Sequence, residues 1–157
     1  MKLNHQKLEF RVAMSADNRF MRELYCSTRE SEMVAIDWPE REKKMFLRQQ
    51  FALQQKHYDK TYPEATKQLI LYKDKIIGRF FVNINQQDRH WHLIDISLIK
   101  EYRRCGIGRY LLKQWITKAE LDAAKTSLYV YGKSRALNLY LSLGFEQLKT
   151  VDGYLYL

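Results

Sequence analysis

Residues 93–112 read LIDISLIKEYRRCGIGRYLL. The first half alternates. Ile94, Ile96 and Leu98 are separated by Asp95 and Ser97, the two-residue period of a pleated strand. From Ile107 the apolar residues recur at helical spacing instead, at Ile107, Tyr110, Leu111, Trp115, Ala119 and Ala123. Between the two patterns lies Arg103-Arg104-Cys105-Gly106-Ile107-Gly108. Two glycines at the mouth of a helix let the backbone come close to a ligand. The first helical turn adds unpaired N–H groups and about half a positive charge. With Arg103, Arg104 and Arg109 around the glycines, the stretch suits a phosphate or pyrophosphate. An ordinary strand–turn–helix is the simpler alternative. The P-loop pattern is absent, so there is no lysine and hydroxyl for a magnesium nucleotide. The dinucleotide fingerprint is half present: Leu111 stands where its third glycine belongs, and no acidic residue closes the next strand.

Arg103-x-x-Gly106-x-Gly108, after an apolar strand and before Tyr110-Leu111-Leu112, resembles motif A of the GNAT acetyltransferases. Ala136-x-x-Leu139-Tyr140-x-x-x-Gly144-Phe145 is similar to the family's motif B, in the family's order and at about its distance. The resemblance covers the C-terminal two-thirds well and the N-terminal third in outline. It implies acetyl-CoA as cosubstrate, with the loop Arg103, Arg104, Cys105, Gly106, Ile107, Gly108 and Arg109 around its pyrophosphate. It also implies a bulged strand pairing with the pantetheine arm, where a backbone N–H among Ile96, Ser97 and Leu98 polarises the thioester carbonyl. Tyr140 matches the tyrosine that often protonates the leaving thiolate. One position departs: the family often has Asn seven residues before that tyrosine, and here Lys133 stands there as the candidate cofactor contact.

The general base is open between two residues. His92 lies near the start of the strand, where some relatives carry a glutamate, and has a suitable intrinsic pKa. Asp95 is a carboxylate mid-strand between isoleucines, where a structural ion pair competes with a catalytic role. Strand parity puts the two on opposite faces unless a bulge intervenes. A water chain is equally compatible. Cys105 invites a reading as a nucleophile at a helix N-terminus, but GNAT proteins transfer the acetyl group directly. By the same resemblance, acceptor contacts fall to the first two helices, their loop and the last hairpin. That region offers Tyr25, Arg29, Glu30, Glu32, Asp37, Trp38, Gln50, Gln54 and Tyr154.

A chain of 157 residues with 46% apolar content suits a single globular domain over 1–157. No run of about 18 apolar residues exists, so no membrane partner is expected. The opening Met1-Lys2-Leu3-Asn4-His5-Gln6-Lys7 lacks an apolar region of the secretory kind. Cys26 and Cys105 are too few for a disulfide framework and form no CxxC, so no metal is expected and a reduced cytoplasm is the default. The net charge is +9, and residues 99–135 hold nine Lys/Arg against three Asp/Glu. CoA, with about four negative charges, suffices to explain that local patch. Nucleic acid is therefore not the expected partner. A homodimer is compatible with the sequence.

The remaining elements follow from period and punctuation. Leu8, Phe10 and Val12 predict a first strand, and Ser15 a helix N-cap, with a helix to about Thr28 and a polar loop or frayed end over Thr28–Glu32. A second helix is predicted from Pro39 to about Tyr58, its apolar face carrying Phe46, Leu47, Phe51 and Leu53. Strands follow over 68–72, 76–85 and 90–99, then the glycine loop and a helix to about Ala124. A strand over 126–131 should lie parallel to the one before the loop, because a helix crosses between them. A short helix over 134–143 and a hairpin of 145–151 with 154–157 complete an α+β sandwich. It has a mixed, mostly antiparallel sheet of about seven strands and about four helices.

Three functions are compatible with this reading. The first is an N-acetyltransferase acting on a primary amine of a small molecule or protein. The second is a toxin-like member acetylating aminoacyl-tRNA. The third is a non-enzymatic CoA-binding module.

Overall fold

The computed structural model describes residues 3–157. Met1 and Lys2, part of the opening stretch considered for a secretory signal, lie outside the described residues. The strands are β1 (Leu8–Val12), β2 (Thr66–Tyr72), β3 (Lys75–Asn85), β4 (His90–Leu98), β5 (Lys125–Tyr131), β6 (Lys149–Val151) and β7 (Tyr154–Tyr156). The helices are α1 (Asn18–Met33), α2 (Glu40–Thr61), α3 (Ile107–Leu121) and α4 (Ala136–Ser142). One sheet runs in the order β1-β2-β3-β4-β5-β7-β6. Only the β4–β5 pair is parallel, as the α3 crossover requires. Strands β1 to β4 form a meander whose β2–β3 turn holds Lys73 and Asp74 at φ 49° and 66°, the left-handed geometry of a two-residue hairpin.

Two cores cover the two faces of the sheet. On one side Ile107, Leu111, Leu112, Trp115 and Ala119 of α3 pack with Ile70, Phe80, Val82, Trp91, Leu93 and Leu128. Tyr140 and Phe145 close that core at α4. On the other side Met21 and Tyr25 of α1 and Phe51 of α2 pack on Leu69 and Phe81. The alternation along β3 divides them: Phe80 and Val82 face α3, and Phe81 faces α1 and α2.

Several predicted boundaries move. Thr28–Glu32 is regular helix rather than a loop or frayed end, and α1 continues to Met33. The hydroxyls of Ser27 and Thr28 bond back to the carbonyls of Leu24 and Tyr25, Arg29 pairs with Glu32, and buried Met33 anchors the last turn. Polar composition reflects that turn's exposed face, not a break. Ser15 opens a short 3-10 turn instead of α1. Asp17 caps that turn, accepting from the Met14 amide and from both Nη atoms of Arg11, while α1 itself starts without a side-chain cap. On α2, Leu47 and Phe51 are buried, but Phe46 and Leu53 lie on the exposed side. Helix α3 stops at Leu121, and Ala123 turns the chain at φ 53°. Of 145–151 only Lys149–Val151 is strand, because Phe145 instead enters the core against Tyr140.

Two irregularities in β4 position the site. Phe81 pairs with Asp95 and Val82 with Leu93, so Ile94 is an extra, bulged residue. His92 opposes Asn83 and Asp95 opposes Phe81, two residues apart on β3. The bulge therefore brings His92 and Asp95 to the same face, reversing simple parity. Second, β4 pairs with β5 only through His90–Leu93, opposite Lys125–Leu128. Beyond Leu93 the strands part, and Ile94–Leu98 are only half-buried although β4 is the middle strand.

Candidate active site

The parted segment of β4 runs through a 3-10 turn (Lys100–Tyr102) into the glycine loop. There Arg104 has φ 58° and Gly106 φ 77°, so left-handed residues precede the right-handed helix α3. Such alternation turns successive N–H groups toward one concave side. The amides of Ile107, Gly108 and Arg109 open the helix, where no intrahelical acceptor exists. Arg104 and Arg109 are exposed beside them, and Lys133 is exposed in the turn before α4. Arg103 is engaged differently. Its Nε donates to the Leu98 carbonyl at 2.8 Å and its Nη2 to Ser27 Oγ at 2.9 Å, tying the loop to the end of β4 and to α1. The Cys105 thiol is half-buried and donates to the Arg103 carbonyl at 3.4 Å.

Asp95 is held in a network on the α1/α2 face. Its Oδ2 accepts from Arg79 Nε at 2.5 Å and from Ser97 Oγ at 2.8 Å. Arg79 is 2% exposed, lies 4.9 Å from the Phe81 ring centre and donates from Nη2 to Gln54 Oε1 at 2.7 Å. Its Nη1 is buried without a partner among the described residues. Burial raises the Tyr58 phenol well above its ordinary value, and the Asp95 charge raises it further. Tyr140 responds in the same way: burial first, then Asp95, hold its phenol above the usual range. Tyr140 belongs to the α3/α4 core and Asp95 to the opposite face.

His92 sits deeper. Its Nδ1 lies 2.8 Å from Ser127 Oγ, and His90 Nε2 lies 2.5 Å from the same oxygen. One hydroxyl has one proton, so Ser127 donates to one imidazole and accepts from the other. The rings of Tyr62, Tyr129 and Tyr156 surround His92 with centroids 5.5, 5.6 and 6.5 Å away. Burial, with His90 adding to it, pushes His92 down to about 4. The imidazole is therefore neutral at physiological pH.

A model of the Acetyltransferase (GNAT) family matches residues 18–145. The chain belongs to the GNAT family. Among curated relatives of this GNAT chain, an N-alpha-acetyltransferase of Sulfurisphaera tokodaii is 36% identical over 66 residues, 40% of each chain. The probable N-acetyltransferase san of Drosophila melanogaster is 25% identical over 91 residues, 55% of this chain. These matches span 40% and 50% of the two relatives' lengths. Among solved structures, a PaiA N-acetyltransferase of Thermoplasma acidophilum in complex with coenzyme A superposes with TM-score 0.68 at 17% identity, covering 95% of this chain and 96% of that one. A spermidine N-acetyltransferase of Vibrio cholerae in complex with CoA and spermine gives TM-score 0.62 at 17% identity, covering 97% and 95%. At that identity the structures share the GNAT fold.

The candidate site contains residues that sequence reasoning passed over. Arg79, Tyr58 and Tyr62 join Asp95 and His92, and Tyr129, Tyr131 and Tyr156 complete, with the acceptor candidate Tyr154, a four-tyrosine ladder across β5 and β7. Tyr129 opposes Tyr156 and Tyr131 opposes Tyr154, with ring centres 4.9 and 5.6 Å apart. The signal was present in the sequence: Tyr-x-Tyr occurs in both strands, and a lone arginine interrupts the apolar run of β3. Of the predicted acceptor residues, Gln54 is bound to Arg79 and Trp38 packs edge-on against Phe46. Arg29 stacks on Tyr25 at 5.3 Å, and the Tyr154 phenol is among the groups that raise its pKa. Glu30, Glu32 and Asp37 are exposed, and Gln50 is half-buried.

Proposed function

We propose that this GNAT protein is an N-acetyltransferase that moves the acetyl group of acetyl-CoA directly to a primary amine. The reading rests on one observation above all. β4 is bulged at Ile94 and loses its partner β5 after Leu93, a few residues ahead of a basic loop with outward amides. A free strand edge suits an amide-bearing arm such as pantetheine, and the loop suits its pyrophosphate. The residues present thus fit acetyl-CoA, which supplies an activated thioester.

The chain's own groups divide the work. Of the candidates Ile96, Ser97 and Leu98, one backbone N–H on the open edge polarises the thioester carbonyl: Ile99 donates its amide to Ile77 of β3, so by alternation Ser97 faces β3 and Ile96 and Leu98 face the side without a β5 partner. The acceptor nitrogen forms its bond to the carbonyl carbon as the carbon–sulfur bond breaks. Tyr140, protonated at all ordinary pH values, gives its proton to the departing thiolate and regains one through water from the nitrogen as it becomes an amide. Asp95 orients the incoming ammonium with the oxygen that Arg79 and Ser97 leave free, and passes its proton to water. The His92–Ser127–His90 chain is the second route for that proton. Arg104, Arg109 and Lys133 neutralise phosphate charge, whereas Arg103 and Cys105 hold the loop. The acceptor enters between α1 and the tyrosine ladder, where phenol rings pack against an alkyl or peptide chain and attract a cationic head.

The test is CoA release by purified protein over a panel of polyamines, peptides with free N-termini, lysine peptides and charged tRNA. Release with at least one amine, with acetyl recovered on its nitrogen, supports the proposal. Acetylation of charged tRNA alone selects the toxin-like function. Tight CoA binding with no release on any acceptor selects the non-enzymatic module.

A further inference from the structure

His5 lies behind the glycine loop. Its Nε2 is 3.1 Å from the Cys105 carbonyl oxygen, and its ring sits 5.0 Å from that of Tyr110 on α3. A carbonyl only accepts, so Nε2 carries the proton in this contact. A Cβ built on Gly106 would meet His5 Cε1 at 3.3 Å, so the ring also covers that side of the glycine. The turn that carries His5 is anchored in its own right. Asn4 donates its amide to the Tyr72 hydroxyl at 3.3 Å and accepts from the Gln6 amide at 3.1 Å. Tyr72 packs 6.0 Å from Tyr102 of the turn entering the loop.

The consequence follows from peptide planarity. In a trans peptide the C=O and N–H point in opposite directions. Fixing the Cys105 carbonyl toward His5 therefore aims the Gly106 N–H away from His5, to the loop's other side. We infer that His5 is a positioning residue for the cofactor: it locks the Cys105–Gly106 peptide so that the Gly106 amide faces the pyrophosphate. A flip of this peptide would present a carbonyl oxygen to a polyanion. The inference rests on the CoA-binding reading proposed above.

Three variants separate the hydrogen bond from the packing. His5→Phe keeps a ring on Tyr110 and removes the donor. His5→Gln keeps an N–H donor at similar reach, and His5→Ala removes both. CoA affinity, measured by calorimetry, should fall about three- to tenfold in His5→Phe and His5→Ala, the scale of one lost hydrogen bond. His5→Gln should recover most of the loss. Pantetheine lacks the pyrophosphate, so its affinity should be the same in all four proteins. Unchanged CoA affinity in His5→Phe overturns the inference. Equal losses for CoA and pantetheine also overturn it, by assigning His5 to general folding. Wild-type protein that binds no CoA fails the underlying reading instead.

Discussion

Tyr140 and His92 illustrate how burial sets chemistry residue by residue. Burial and the Asp95 carboxylate both disfavour a phenolate at Tyr140. The phenol therefore keeps its proton and can donate only as negative charge develops on the leaving group. Tyr140→Phe should lower kcat by about 10² to 10⁴, with kcat/KM falling in parallel and CoA Kd nearly unchanged. The comparison is made on protein whose melting point is measured alongside. A near-normal kcat with a lowered melting point would assign Tyr140 to packing. His92 carries a stability prediction. An unfolded histidine titrates near 6.5, and buried His92 titrates at about 4. Between these values the unfolded chain binds more protons, so stability must rise with pH across the window. His92's contribution is full above about pH 6.5 and is lost as pH falls to about 4, a difference of about 3 kcal/mol. Urea unfolding at pH 4, 5, 6 and 7 should show this slope, and His92→Phe should flatten it. The same slope in His92→Phe would place its origin elsewhere.

At the scale of elements, the glycine loop depends on backbone geometry more than on space for a ligand. Gly106 has φ 77°, and a Cβ there would approach the His5 ring. Gly106→Ala should cost about 1–3 kcal/mol of stability through left-handed strain and weaken CoA binding. Thermal melts with and without CoA read both effects. Gly108 differs, since a Cβ there meets only Leu139 Cδ2 at 3.8 Å, so Gly108→Ala should melt near wild type. The strand–loop–helix unit was legible in the sequence because its two periods change at the glycines. So was the parallel β5, which follows from the α3 crossover. The end of α1 was not legible, because Thr28–Glu32 shows its exposed polar face while Met33 anchors the turn in three dimensions. Phe145 read as strand because local β-propensity carries no record of a core contact with Tyr140. The bulge at Ile94 is invisible to alternation alone, since only the partner strand defines register. Arg79 needed the fold too: a lone arginine in β3 acquires meaning once Asp95 and Gln54 surround it.

Across the whole molecule, charge is gathered where the phosphates are proposed to lie. Residues 99–135 carry six of the nine net positive charges, and exposed Arg104, Arg109 and Lys133 belong to that segment. Salt should therefore weaken CoA binding by screening, with a Debye length of about 10 Å at 0.1 M. Titrations from low to high ionic strength should show a steady rise in Kd for CoA and little change for pantetheine. A flat CoA response would return those cations to an ordinary solvated face. Among the described residues no helix is long and apolar enough to cross a membrane. The central claim is that acetyl-CoA lies along the parted edge of β4 with its pyrophosphate on the glycine loop. Amide hydrogen exchange with and without saturating acetyl-CoA tests it most directly. Protection is predicted at Ile94–Leu98 and at Gly106–Arg109, two separate segments slowed together. Saturation that leaves both segments exchanging as in the free protein, with protection elsewhere, would contradict it.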